Sequence, residues 1–160
     1  MWYVSSNMGQ EKLQNAIEKA KGIYPLQGEI RCPYFQGNVF LTSDGFNHLQ
    51  YKGNRMLRNI DEQVLKLTLL PKALEIIKKA GTLQEYRKGT EKVGKKGKDG
   101  FYKIKNVEYW GFHAIVGKDH LRKIVVILKR VGDGKVVFWS VMPHRKFNNQ
   151  KLYDEGIEDL

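Results

Sequence analysis

Gly132-Asp133-Gly134 is the feature that most constrains the fold of this chain. It separates two runs rich in β-branched and aromatic residues, about Leu121 to Val131 and Lys135 to Met142. A short glycine-containing break between two such runs is a β-hairpin signal. A third run of the same kind, about Ile104 to Val116, precedes them, so the C-terminal part reads as a three-stranded antiparallel meander. Such a sheet must bury at least one apolar face against another layer. Helical spacing in the N-terminal half supplies that layer. The expectation is therefore an α+β fold in which N-terminal helices pack on one face of an antiparallel sheet ending in the meander. A chain of 160 residues forms a single domain, 1–160, with its own core.

The first helix is predicted over 10–21, where Leu13, Ala16, Ile17 and Ala20 recur at helical spacing before Gly22. Residues 1–9 show no periodicity and are expected to fray. Residues 28–42 read as extended structure, broken at Cys32-Pro33 and Gln36-Gly37-Asn38, and 38–42 are the candidate fourth strand. Thr42 or Ser43 caps a short helix ending at Gly53. Asn59 and Glu62 form a capping-box pattern for a longer helix with Val64, Leu67, Leu70 and Leu74 on its apolar face. Pro71 either kinks that helix or opens a new one. The lysines and glycines of 87–100 read as a flexible basic loop, and the acidic tail of 151–160 as loose chain.

Lys and Arg number 28 against 17 Asp and Glu, a formal net charge of +11. That excess steers association with phosphate backbones, so RNA, or else DNA, is the expected partner. The single cysteine, Cys32, excludes an internal disulfide and a multi-cysteine zinc site, and suits a reducing cytoplasm. The apolar runs are too short to span a bilayer and the N-terminus lacks signal-peptide character, so no membrane partner is expected. The four histidines show no metal-ligand spacing, and the expected strands offer only Glu108 as a carboxylate. No metal and no cofactor are expected.

RNA brings its own nucleophile, the 2′-hydroxyl, so its cleavage needs only a base, an acid and cations around the phosphate. On a helix, Phe46 and Leu49 share one side while His48, Tyr51 and Lys52 share the other. With Arg55 and Arg58 following, this segment offers an acid or base and phosphate-binding charges. A second cluster is predicted on the hairpin. A three-residue loop places Arg130 beside Ser140, and a two-residue loop places Lys129 there. His113 reads as a core histidine among apolar neighbours.

Cys32-Pro33-Tyr34-Phe35, Leu41 to Leu49, Leu69-Leu70-Pro71 and Phe138-Trp139-Ser140-Val141-Met142 together resemble small bacterial and phage proteins. Through them the chain resembles phage-type nucleases of the Barnase–EndoU–colicin–RelE superfamily. The resemblance spans roughly residues 30–145. It implies N-terminal helices on a four-stranded antiparallel sheet and metal-independent RNA cleavage by residues of a helix and the last strands. By position, His48 and Lys52 form the helix part, and Lys129 or Arg130 with Ser140 the strand part.

The reading is thus a toxin- or effector-like endoribonuclease, with catalytic His48, Lys52, Lys129 and Ser140. Tyr51, Arg55, Arg58, Arg130 and Trp110 would bind substrate. An antitoxin or immunity protein would be its protein partner. One alternative is a non-catalytic nucleic-acid-binding module using the same basic face, with Trp110, Tyr102 and Tyr109 as stacking groups. Another is an interaction protein that docks on an acidic partner.

Overall fold

The computed structural model describes residues 2–25 and 28–144. The expected loose tail at 151–160 lies outside the described residues. In chain order the elements are α1 (Trp2–Ile23), β1 (Glu29–Cys32), a 3-10 turn (Pro33–Phe35), β2 (Gly37–Phe40), α2 (Ser43–Asn47) and α3 (Ile60–Lys79), followed by β3 (Glu85–Val93), β4 (Lys103–Val116), β5 (Arg122–Val131) and β6 (Val137–Pro143). The α+β class holds, with helices against a sheet whose β4-β5-β6 part is the meander. The sheet has six strands in the order β1-β2-β6-β5-β4-β3, antiparallel except where β2 meets β6.

Two expectations about local order are corrected. Helix α1 begins at Trp2, so most of the stretch expected to fray is helical. Residues 87–93 belong to strand β3, and the connector shrinks to 94–102. Strand β3 is legible only through its partner: it pairs with β4 along its whole length, from Glu85↔Gly111 to Val93↔Lys103, with few apolar residues of its own. As an edge strand it needs no second buried face, and its lysines discourage pairing with other chains.

The main core lies between helices and sheet. Leu67, Leu70, Ala73 and Ile77 of α3 meet Phe112, Ile124, Val126, Leu128 and Phe138 there. The Asn59 side chain caps α3 by accepting from Glu62 N at 2.8 Å, as the sequence pattern implies. Pro71 neither ends nor restarts α3, which runs unbroken past it. Tyr24 ties three elements together. Its ring packs 5.2 Å from Phe46 and 6.1 Å from Phe138, and its hydroxyl donates to Thr42 O at 2.7 Å.

The opposite sheet face is not bare. Val107, Tyr109, Val125, Ile127 and Met142 form a smaller apolar cluster there, with Trp139 packed against it.

Strand β2 matches the candidate strand at 38–42 and pairs with β6 through one residue pair, Phe40↔Val137. Beyond it, α2 and α3 lie against β6. Gly45 of α2 sits so close to the Phe138 carbonyl that a β-carbon has no room there. Farther along, Lys66 of α3 donates to Val141 O at 3.1 Å. The helices thus cover strand backbone that β2 leaves unpaired. Among the described residues no helix is long and apolar enough to cross a membrane.

A candidate active-site cleft

The Thr42 hydroxyl starts α2 by accepting from Gly45 N at 3.2 Å. The helix stops at Asn47, earlier than the sequence suggests, and His48 is its C-terminal cap. The chain then turns out and back. Tyr51 bridges to Leu57, Lys52 N donates to Met56 O at 2.8 Å, and Arg55 takes a left-handed conformation with φ of 65°. Arg58 N closes the excursion on Gln50 O at 2.9 Å. Although the helix is shorter, His48, Tyr51, Lys52 and Arg55 still line one open cleft of about 750 Å³, facing Glu91, Tyr109 and Trp139 of the sheet.

His48 is held on two sides. Its ring stacks on Trp139 with centroids 4.2 Å apart and planes 30° from parallel. Arg58 Nε donates to His48 O at 3.1 Å, and Arg58 Nη2 lies 3.5 Å from His48 Nδ1. A guanidinium can only donate, so this pairing makes Nδ1 the acceptor and puts the neutral ring's proton on Nε2. Arg58 is therefore not a surface phosphate binder. It is buried and positions His48, and burial lowers its pKa while Glu62 works the other way.

Trp139 owes its placement to a bulge. Across the turn at Gly132-Asp133-Gly134, Lys129 pairs with Val137 and Leu128 with Phe138, but Ile127 then pairs with Ser140. Trp139 is the extra residue between these pairs. Lys129 Nζ lies 3.9 Å from the indole centroid and 3.0 Å from Glu91 Oε2. One indole thus carries both the imidazole and the ammonium, and Glu91 holds the ammonium from β3.

The bulge sets the strand partner of Ser140: opposite Ile127, it takes the β5 register of Lys129 and leaves that of Arg130. Ser140 is fully buried and its hydroxyl accepts from Lys66 Nζ at 2.9 Å. Lys66, only 6 % exposed, is pushed down to about 7, first by burial and then by Arg58. Neither Ser140 nor Lys66 lines the cleft. Arg130 points elsewhere too, into an ion pair with Glu108 and 5.7 Å from the centre of Trp110. Glu108 is held below its usual range, chiefly by the Tyr86 hydroxyl at 2.6 Å and also by Arg130. Trp110 is buried edge-on to Phe35 at 5.0 Å and offers no open face for stacking. Tyr109, the other buried stacking candidate, packs in the small apolar cluster. His113 is not a satisfied apolar-core residue: it lies 3.3 Å from Glu85 Oε1, with the His144 ring 4.9 Å away.

Sequence reasoning missed Lys66, Glu91 and the role of Trp139. Lys66 was findable, since it falls on the same helical face as Gln63, Leu67, Leu70 and Ala73. Glu91 was hidden with β3. Among the described residues no group of three or more His, Cys, Asp or Glu could hold a metal ion.

No protein-family model matches the chain, and no curated protein and no solved structure is significantly similar to it.

Proposed function

We propose that this protein is an endoribonuclease that works without a metal, cleaving RNA at the cleft between α2 and the sheet. The observation that carries the reading is His48, an imidazole clamped by Arg58 and Trp139 in a cleft rimmed by Lys52 and Arg55. A donor aimed at the charge of the transition state needs such a fixed orientation.

The chemistry uses the substrate's 2′-hydroxyl. That oxygen attacks the adjacent phosphorus as its proton passes to a carboxylate, and Glu91 lines the cleft opposite His48. Lys52 and Arg55 offset the charge that grows on the phosphoryl oxygens. The bond to the 5′-oxygen breaks as that oxygen takes a proton from water, while His48 Nε2–H donates a hydrogen bond to a phosphoryl oxygen, leaving a 2′,3′-cyclic phosphate and a 5′-hydroxyl. Lys129 keeps Glu91 and Trp139 in place, 3.0 Å from the carboxylate and 3.9 Å from the indole centroid. The role suits a toxin- or effector-like protein acting on cytoplasmic RNA, restrained by an antitoxin or immunity protein that covers the cleft.

The test is incubation of purified protein with total RNA in EDTA and mapping of new ends. Cyclic phosphate ends are expected, with His48→Ala lowering the rate roughly 10²- to 10³-fold and Lys52→Ala and Glu91→Gln also slowing it. Undiminished cleavage by folded His48→Ala and Lys52→Ala removes this site. A non-catalytic single-strand-binding module is the second reading, favoured by the exposed Phe101 and Tyr102 rings. Salt-sensitive binding without any cleavage selects it.

A further inference from the structure

We propose that the tip of the β3–β4 hairpin stacks unpaired bases of a single-stranded nucleic acid and so holds the strand that enters the His48 cleft. The inference rests on the cleft being a nucleic-acid site, and does not need cleavage to occur there.

Phe101 is 74 % exposed and Tyr102 42 %, and neither belongs to either apolar cluster. Folding therefore does not account for two aromatic rings at this position. The loop that displays them is closed by its own backbone. Gly97 N donates to Phe101 O at 2.8 Å, Gly100 N donates to Gly97 O at 3.0 Å, and Phe101 N donates to Asp99 Oδ1 at 3.1 Å. Gly100, with φ of 85°, takes the left-handed conformation that this turn requires. The rings are thus presented on a defined turn, which lowers the ordering cost of binding.

Exposed ammonium groups surround them. Lys95, Lys96 and Lys98 lie in the same loop, and Lys92 Nζ is 5.2 Å from the Tyr102 ring centre. Rings for bases beside cations for phosphates are the two components of sequence-tolerant single-strand binding. An acidic protein would answer the lysines and leave the rings unused.

The fold also links this tip to the cleft. Alternation along β4 puts Lys103 and Lys105 on the same sheet face as Val107 and Tyr109, and Tyr109 lines the cleft. At 3.3 Å per residue, Lys103 is about 20 Å along the strand from Tyr109. At 3.4 Å per stacked nucleotide that span takes about six nucleotides. A single strand in the cleft therefore reaches the tip across two more lysines, and a trinucleotide does not.

The experiment uses labelled 2′-O-methyl oligoribonucleotides, which lack a free attacking hydroxyl, read by fluorescence anisotropy. For a strand of about twelve nucleotides, Phe101→Ala/Tyr102→Ala is expected to weaken binding roughly ten- to a hundred-fold with an unchanged salt slope. Lys95→Ala/Lys96→Ala/Lys98→Ala is expected to make that slope shallower by up to about two. Phe101→Trp should keep the affinity and show indole quenching on binding. Trinucleotide binding should be the same in all variants. Wild-type affinity of the aromatic variant for the long strand overturns the proposal. So does a loss confined to phosphatidylserine vesicles, which would make the tip a membrane contact. If the tip variants lose binding while His48→Ala cleaves normally, the cleavage site falls and the tip site stands. The reverse pattern has the reverse meaning.

Discussion

Arg58 and His48 are ten residues apart in sequence, yet the guanidinium meets both the backbone oxygen of His48, at 3.1 Å, and its ring Nδ1, at 3.5 Å. The same arginine backbone accepts from the Gln63 side chain at 2.7 Å. The loop after α2 is therefore anchored from inside, and the imidazole is fixed by a residue that itself never reaches the cleft.

Replacing Arg58 tests that anchor. Arg58→Ala leaves a buried carbonyl without this donor, which is expected to cost about 1–3 kcal/mol of stability in denaturant titration. Nitrogen chemical shifts of the His48 ring should show protonation mainly at Nε2 in the wild type and a mixture of tautomers in Arg58→Ala. Arg58→Lys should recover part of the stability and little of the tautomer bias, since an ammonium cannot span both acceptors.

Lys66 makes stability depend on pH. Its folded pKa, about 7, lies below the ordinary 10.5, so between these values the unfolded chain binds the extra proton. Stability is therefore lowest below about pH 7 and rises above it, with a slope of up to ~1.4 kcal/mol per pH unit. The neutral amine keeps two donors for Ser140 Oγ and Val141 O. Cys32, whose thiol is raised by burial above 9.0, opposes this trend only above that value. Urea titrations from pH 7 to 9 should show the rise in wild type and its absence in Lys66→Met.

Gly45→Ala should damage the cleft without touching a polar group. Its β-carbon would collide with the Phe138 carbonyl, which is backbone and cannot swing away. Overpacking of this kind typically costs ~1–3 kcal/mol. Because Trp139 follows Phe138, the stacking of His48 should loosen as well. A fall in denaturation midpoint with altered tryptophan fluorescence is the expected result, and a wild-type midpoint would show that α2 does not press on β6.

Salt dependence tests the electrostatic reading of the whole surface. With a net charge of +11, RNA affinity should fall steeply between about 50 and 200 mM salt as counterion release loses its driving force. A dissociation constant constant across that range would remove the polyanion as partner.

Local signals in the sequence determined most of the elements. The Asn59 cap, the Gly132-Asp133-Gly134 hairpin and the runs that became β4, β5 and β6 are each encoded within a few residues. So was the grouping of His48, Tyr51, Lys52 and Arg55, because a short turn keeps near neighbours on one side whatever the helix length. Tertiary structure decided what depends on distant partners. Strand β3 exists because β4 supplies its hydrogen bonds, and its charged sequence hid both it and Glu91. One extra residue at Trp139 moved Ser140 from the register of Arg130 to that of Lys129, since strand faces alternate every residue and a single-residue shift reverses them, and its hydroxyl meets Lys66 of α3. Arg58 looks like a solvated charge in sequence, while Lys66 stands out only as a charge on the apolar face of α3. Only the packing of α3 and the loop after α2 shows them buried, one against β6 and the other against His48.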